Sequence, residues 1–355
     1  MGRDRGPCTV RRVYSLAHGT GQGPDVSRSI SNTRIASVSS GAAEARSNEV
    51  ARSKLRLILE STKPGITRMV TLSAVVGFIV SASYHGLYLS SLILPILVCV
   101  LGTAIAASGA NAMNQWVERS RDAVMKRTRN RPLPSGGLTP RTVLVYSTAL
   151  SIAGPALLLA FGYWVASAIT LVTVVLYVAL YTPMKWMSPK STAVGAVPGA
   201  LPILIGWTVA SPSGLADLAA WPAWSLFLLL FAWQMPHFLA IAVMYRDDYS
   251  KAGYRTLLQT AKSDSAVLAA IILWSLVMVA ASIAPLIAMP NLFGLGYGLT
   301  ALIMGVWMVL LVGKLGKSLA AGGARTLFFA SIVYLPVVFI ALVVDACIGT
   351  GPAIS

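Results

Sequence analysis

Residues 97–134 read LVCVLGTAIAASGANAMNQWVERSRDAVMKRTRNRPLP, and the character of the chain changes in the middle of this run. Up to Met113 the stretch carries no charge. From Asn114 onward it holds Glu118, Asp122 and the bases Arg119, Arg121, Lys126, Arg127, Arg129 and Arg131. A helix that leaves a hydrocarbon layer near Met113 and runs on for further turns at its surface produces this pattern. Asn114, Glu118 and Asp122 are spaced i, i+4, i+8, so a continuing helix carries all three oxygen-bearing side chains on one face.

Outward from this stretch the same alternation of apolar run and polar break recurs. Nine apolar segments are expected near 66–84, 88–113, 140–161, 163–183, 193–211, 219–244, 265–288, 292–313 and 326–347. The chain is 56% hydrophobic and 11% charged, whereas soluble domains carry roughly 25% charged residues. The fold class expected is therefore all-α, a polytopic membrane protein of nine transmembrane helices. Lys and Arg test the count. Twelve lead into the first segment through Arg68, seven lie between the second and third, two between the fourth and fifth, four between the sixth and seventh, and three between the eighth and ninth. These are all 28 basic residues, and the alternate loops and the C-terminal tail have none. Such parity places the N-terminus on the cytoplasmic or matrix side. It also explains a net charge of +16 without a nucleic-acid partner.

Residues 1–52 differ from the rest, being rich in Arg, Ser and Gly without an apolar run. They read either as an organelle transit peptide or as a disordered leader or misassigned start. Residues 53–350 form the membrane-embedded domain, with Ser53 to Thr62 expected as an amphipathic stretch along the interface.

Three constellations carry chemistry. In the first, Asn114, Glu118 and Asp122 offer oxygen ligands of the kind Mg²⁺ takes together with substrate phosphates. Lys126, Arg127 and Arg131 follow at once, suited to phosphate oxygens. The alternative is a set of solvated loop charges balancing one another. In the second, Trp233-Gln-Met-Pro-His237 through Tyr245-Arg246-Asp247-Asp248-Tyr249 closes the sixth segment on the same side. Adjacent Asp247 and Asp248 point in different directions, so at most one faces the first metal. The other could bind a second metal, pair with Arg246 or Lys251, or sit on a solvated helix end. The third, Tyr181-Thr-Pro-Met-Lys185 through Gly195-Ala-Val-Pro198-Gly199-Ala-Leu-Pro202, adds Lys185 to that face. Its small residues either shape the bundle or open an apolar groove. His237, two turns inside the sixth segment, is an intramembrane ionisable residue and so a functional candidate, or else is bonded to a neighbouring helix.

Asn114-xxx-Glu118-xxx-Asp122 with Met125-Lys-Arg-Thr-Arg-Asn-Arg131-Pro-Leu resembles the first signature of the protohaem IX farnesyltransferase family, within the UbiA superfamily of intramembrane prenyltransferases. Trp233-Gln-Met-Pro-His-Phe through Tyr249, with Ala252-Gly253, resembles its second. Tyr181-Thr-Pro and Gly195 through Pro202 resemble its central helix pair. Ser191 and Ile203 stand where the family carries Asn and a second Pro. The likeness spans about residues 60–345 and implies a UbiA-type bundle.

The resemblance further implies transfer of a farnesyl group from farnesyl diphosphate to a vinyl group of haem B, giving haem O for haem-copper oxidases. Asn114, Glu118, Asp122 and Asp248, or Asp247, would hold Mg²⁺. Lys126, Arg127, Arg131, Lys185 and Arg246 would hold the diphosphate, and His237 would ligate the haem iron or orient a propionate. The expected partners are haem B, farnesyl diphosphate and the lipid bilayer, with a haem A synthase or terminal oxidase assembly factors beyond them. The bacterial inner membrane is the expected location and the mitochondrial inner membrane the alternative. Rival readings are a UbiA-type enzyme acting on a quinone precursor or other aromatic acceptor, and a membrane transporter. The topology has a direct check: a reporter fused after Ser355 is expected to be active outside the cytoplasm or matrix, and a cytoplasmic signal contradicts the nine-segment reading.

Overall fold

A computed structural model describes residues 53–314 and 321–349. The expected leader, residues 1–52, lies outside the described residues. Nine helices among the described residues are long and apolar enough to cross a membrane. They are α1 (Pro64–Tyr84), α2 (Ile93–Asp122), α3 (Pro140–Ala160), α4 (Trp164–Met187), α5 (Ser191–Ala210), α6 (Trp221–Met244), α7 (Asp264–Ala288), α8 (Leu295–Gly313) and α9 (Ala321–Gly349). No strand occurs among the described residues. Each helix falls on one expected segment. The largest difference is α2, which begins later, after a 3₁₀ turn at Leu89–Leu92, and runs without a break to Asp122.

The helix starts follow from local chemistry. Pro64 and Pro140 stand in the first turns of α1 and α3, where a missing N–H costs nothing. Thr139 Oγ1 caps α3 by accepting from Thr142 N, and Ser263 Oγ caps α7 by accepting from Ala266 N. At α8 the cap comes from another helix, since the Asp345 carboxylate accepts from Gly294 N at 3.0 Å and Tyr297 N at 2.9 Å. Asp345 is thus a tie from α9 to α8.

Consecutive helices pack on one another, and α9 returns to lie against α6 and α1. Inside this ring sits α5, 72% buried along its apolar window against 28% for α7 and α8, which therefore face lipid. Leu302, Ile303, Val306 and Leu310 of α8 are exposed apolar side chains of the kind a bilayer covers. Lipid gives no hydrophobic drive between helices, so close backbone approach and buried hydrogen bonds hold the bundle. A Cβ at Gly206 would lie 1.7 Å from Ala74 O, and one at Gly77 would lie 2.0 Å from Ile203 O, so α1 and α5 touch along their backbones. Ser81 Oγ donates to Trp207 O at 2.9 Å across the same seam. The small residues of the third motif do shape the bundle: a Cβ at Gly195 would strike the Tyr181 ring, and one at Gly199 would strike Gln234.

This seam makes a stability prediction. Gly206→Ala should destabilise the protein in detergent by about 1–3 kcal/mol, the usual cost of overpacking. Gly65→Ala, where a Cβ meets nothing within 4 Å, should leave the thermal midpoint unchanged. Equal midpoints for the two variants would contradict the packing described.

Candidate functional site

The last three turns of α2 carry the site. Asn111, Asn114, Gln115, Glu118 and Asp122 are all buried on one face, as the spacing predicts. Buried polar groups need partners, and each of these residues finds at least one, with Gln115 Oε1 left without one among the described residues. Asn111 Nδ2 donates to Thr67 Oγ1 at 3.2 Å, and its Oδ1 accepts from the Tyr177 hydroxyl at 3.3 Å. Asn114 Nδ2 donates to Thr182 Oγ1 at 3.0 Å, which leaves Oδ1 to accept from Lys63 Nζ. Gln115 Nε2 donates to Ser61 O at 3.1 Å.

The two acids meet cations from different parts of the chain. Lys185 Nζ lies 2.7 Å from Glu118 Oε1, and Arg131 Nη1 lies 2.6 Å from Asp122 Oδ2. Two carboxylates one turn apart repel, and the structure relieves that repulsion with the protein's own bases. Lys185 reaches Glu118 from α4, whose Leu176–Tyr181 stretch is wound as a π-helix. Such turns shift side-chain register and recur at functional sites. Thr182 Oγ1 donates to Tyr177 O at 2.7 Å within that turn while receiving Asn114. The π-turn therefore positions both Lys185 and the Asn114 amide.

Asp247 and Asp248 point apart, as expected of neighbours on a helix. Asp248 is buried, and its carboxylate accepts from the peptide N–H groups of Lys126 at 3.3 Å and Arg127 at 3.1 Å. Asp247 is exposed. The Lys126 and Arg127 side chains are exposed too, so these residues meet the second motif through their backbone. The Arg127 guanidinium lies over the Tyr245 ring at 4.9 Å. Arg246 pairs with Asp264 at 2.6 Å on the surface, where both are about half exposed (48% and 45%), so it is not drawn into the buried cluster. His237 lies deeper in α6, with Nδ1 2.8 Å from Ser331 Oγ of α9.

Lys63 is the functional candidate that the sequence reading passed over as an orientation charge. It caps the start of α1 with φ 52°, the one non-glycine residue at positive φ among those described. Backbone strain of this kind gathers at functional sites. Here it accompanies an Nζ bonded to Asn114. Burial, and then the neighbouring Arg131 and Lys185 charges, lower the Lys63 amine to about 7, while Glu118 and Asp122 pull the other way. Lys63 sits at the mouth of the first segment on the basic side, where nothing local distinguishes it from a charge that only sets orientation. Burial also raises the Tyr249 and Tyr254 phenols, which remain hydrogen-bond donors beside the cluster.

The donor set suits a hard cation in kind, being carboxylate and amide oxygens. Among the described residues, however, no three His, Cys, Asp or Glu side chains converge on one point. Each acid is held by a base or a peptide instead. A polyanion entering with a metal would compete for Lys185, Arg131 and Lys63, and would so free the carboxylate and amide oxygens for the cation.

The UbiA prenyltransferase family model matches residues 70–343. A protein of Opitutus terrae named protoheme IX farnesyltransferase is 39% identical over 81% of this chain and 93% of its own length. One of Solibacter usitatus with the same name is 35% identical over 82% of this chain and 99% of its own. Two solved structures share the fold. A digeranylgeranylglyceryl phosphate synthase has a TM-score of 0.64 at 19% identity, over 82% of this chain and 98% of that one. A UbiA homologue from Archaeoglobus fulgidus bound to DMAPP and Mg²⁺ has a TM-score of 0.53 at 13% identity, over 80% and 98%. By its helices, its acid-bearing α2 and these relatives, this chain belongs to the UbiA prenyltransferase family, a family of multi-pass membrane proteins.

Proposed function

We propose that the protein transfers the farnesyl group of farnesyl diphosphate to a vinyl group of protohaem IX, giving haem O. The observation that carries the reaction class is the buried pairing of Glu118 with Lys185 and Asp122 with Arg131. Acids and bases sorted in this way can divide a metal diphosphate between them. The acceptor is favoured by relatives named protoheme IX farnesyltransferase that match along nearly their whole length. It is also favoured by the Trp233-to-Tyr249 motif over a quinone precursor.

In this reading Asn114, Glu118, Asp122 and Asp248 hold Mg²⁺, with Asp247 the weaker candidate because it is exposed. Bound Mg²⁺ supplies positive charge to the diphosphate oxygens. Lys63, Lys185 and Arg131 take the oxygens left over; Lys126, Arg127 and Arg246 approach only if their exposed side chains turn inward. The C–O bond of the substrate breaks with its electron pair leaving on the diphosphate. The resulting allylic cation is attacked by the vinyl group, and water closes the product as an alcohol with loss of a proton. Apolar helices keep water from the cation until then. The bacterial inner membrane is the favoured location, given bacterial relatives.

Removing one preorganised electrostatic contact typically costs about 3 kcal/mol of barrier. Asp122→Ala and Glu118→Gln are therefore expected to lower kcat by about a hundredfold or more. Asp248→Asn should cost at least about tenfold more than Asp247→Asn, and the reverse order would remove Asp248 from the site. Purified protein with haem B, farnesyl diphosphate and Mg²⁺ should yield a product with the mass of haem O. Unchanged haem beside a prenylated aromatic acid would refute the acceptor assignment.

A further inference from the structure

His237 has two candidate tasks at a haem, ligation of the iron and orientation of a propionate, and these need opposite states of its ring. An iron ligand needs a bare nitrogen. A propionate partner needs an N–H.

The neighbours of His237 decide between them. Its Nδ1 lies 2.8 Å from Ser331 Oγ. The Ser331 hydroxyl has one hydrogen, which it donates to Phe328 O at 2.7 Å. Toward His237 it can only accept, so Nδ1 carries the ring proton and Nε2 is an unprotonated lone pair. Nothing among the described residues bonds Nε2. The ring itself is fixed. It stacks on Trp233 at 5.0 Å and 22° and on Phe328 at 5.0 Å and 28°. Trp233 Nε1 in turn donates to Ser331 O at 2.8 Å, so the residue that sets the tautomer also anchors the stack. A second nitrogen held by a hydrogen bond is how metal-binding histidines are oriented.

We propose that Ser331 is a positioning residue that holds His237 in the Nδ1–H form, presenting Nε2 as the axial ligand to the iron of the haem substrate. This rests on the haem reading above. A propionate is disfavoured at this atom because two acceptors would face each other.

The test uses the full chain in lipid nanodiscs with ¹⁵N-histidine labelling. Of the three histidines, the signal lost in His237→Gln identifies the site. It should show a protonated Nδ1 and a bare Nε2. Ser331→Ala should mix the tautomers, and Ser331→Thr should restore the single form. Ferric haem B titrated into the wild type should give an imidazole-ligated absorption and EPR signature, absent in His237→Gln. Ser331→Ala should bind haem about tenfold more weakly, as for other partners that orient metal ligands, and Ser331→Thr near normally. A protonated Nε2 in the wild type would overturn the proposal, as would an unchanged haem signature in His237→Gln. Haem dimethyl ester binding more weakly than haem B to the wild type, but not to His237→Gln, would assign the ring to a propionate instead. If the wild type binds no haem saturably yet still binds farnesyl diphosphate with Mg²⁺, the haem reading itself fails and the ligand assignment with it.

Discussion

Glu118 and Asp122 sit on consecutive turns of one helix, both buried, and two negative charges so placed must be compensated. The compensation comes from two other parts of the chain, Lys185 on α4 and Arg131 in the loop after α2. Neither base reaches its acid without local structure made for it. Lys185 arrives through a π-turn, and Arg131 through the loop whose Lys126 and Arg127 peptides are held by Asp248. The first and second motifs, some 120 residues apart, are therefore fastened by one carboxylate. Removing that fastening would release the loop that brings Arg131 to Asp122.

Breaking a buried pair leaves an uncompensated charge, which is strongly destabilising, whereas keeping the pair adds little net stability. Such pairs are poor devices for holding a bundle together, and the bundle here does not rely on them. Its seams are backbone approaches at Gly77 and Gly206 and small polar ties such as Tyr334 to Ser282 at 2.7 Å. The charges at the end of α2 are better understood as groups kept ready for exchange. On the proposed function, a diphosphate with its metal would offer each acid a cation and each base an anion, so that occupation of the site would cost no unpaired buried charge.

Much of this was legible in the sequence because it depends on local period. The nine spans follow from apolar runs, and the shared face of Asn114, Glu118 and Asp122 from their spacing. The divergence of Asp247 and Asp248 follows from adjacency on a helix. What escaped depends on contacts distant in sequence. Nothing local marks Lys63 as bonded to Asn114, since its left-handed backbone is set by the packing of the chain entering α1. That Lys126 and Arg127 offer peptides rather than side chains follows from where Asp248 lands. Arg246 was expected at the diphosphate for its charge and place, yet Asp264 lies nearer. The role of Ser331 was equally hidden, 94 residues from the histidine it orients.

Calorimetric titration of Mg²⁺ with and without a non-reactive farnesyl thiodiphosphate tests the proposed exchange of partners most directly. With acids and bases already paired, Mg²⁺ alone should bind weakly, and the analogue should tighten it by about tenfold or more, with the reciprocal effect of Mg²⁺ on the analogue. Equal Mg²⁺ affinity with and without the analogue would show that the acids stand free for metal, contradicting the paired site described.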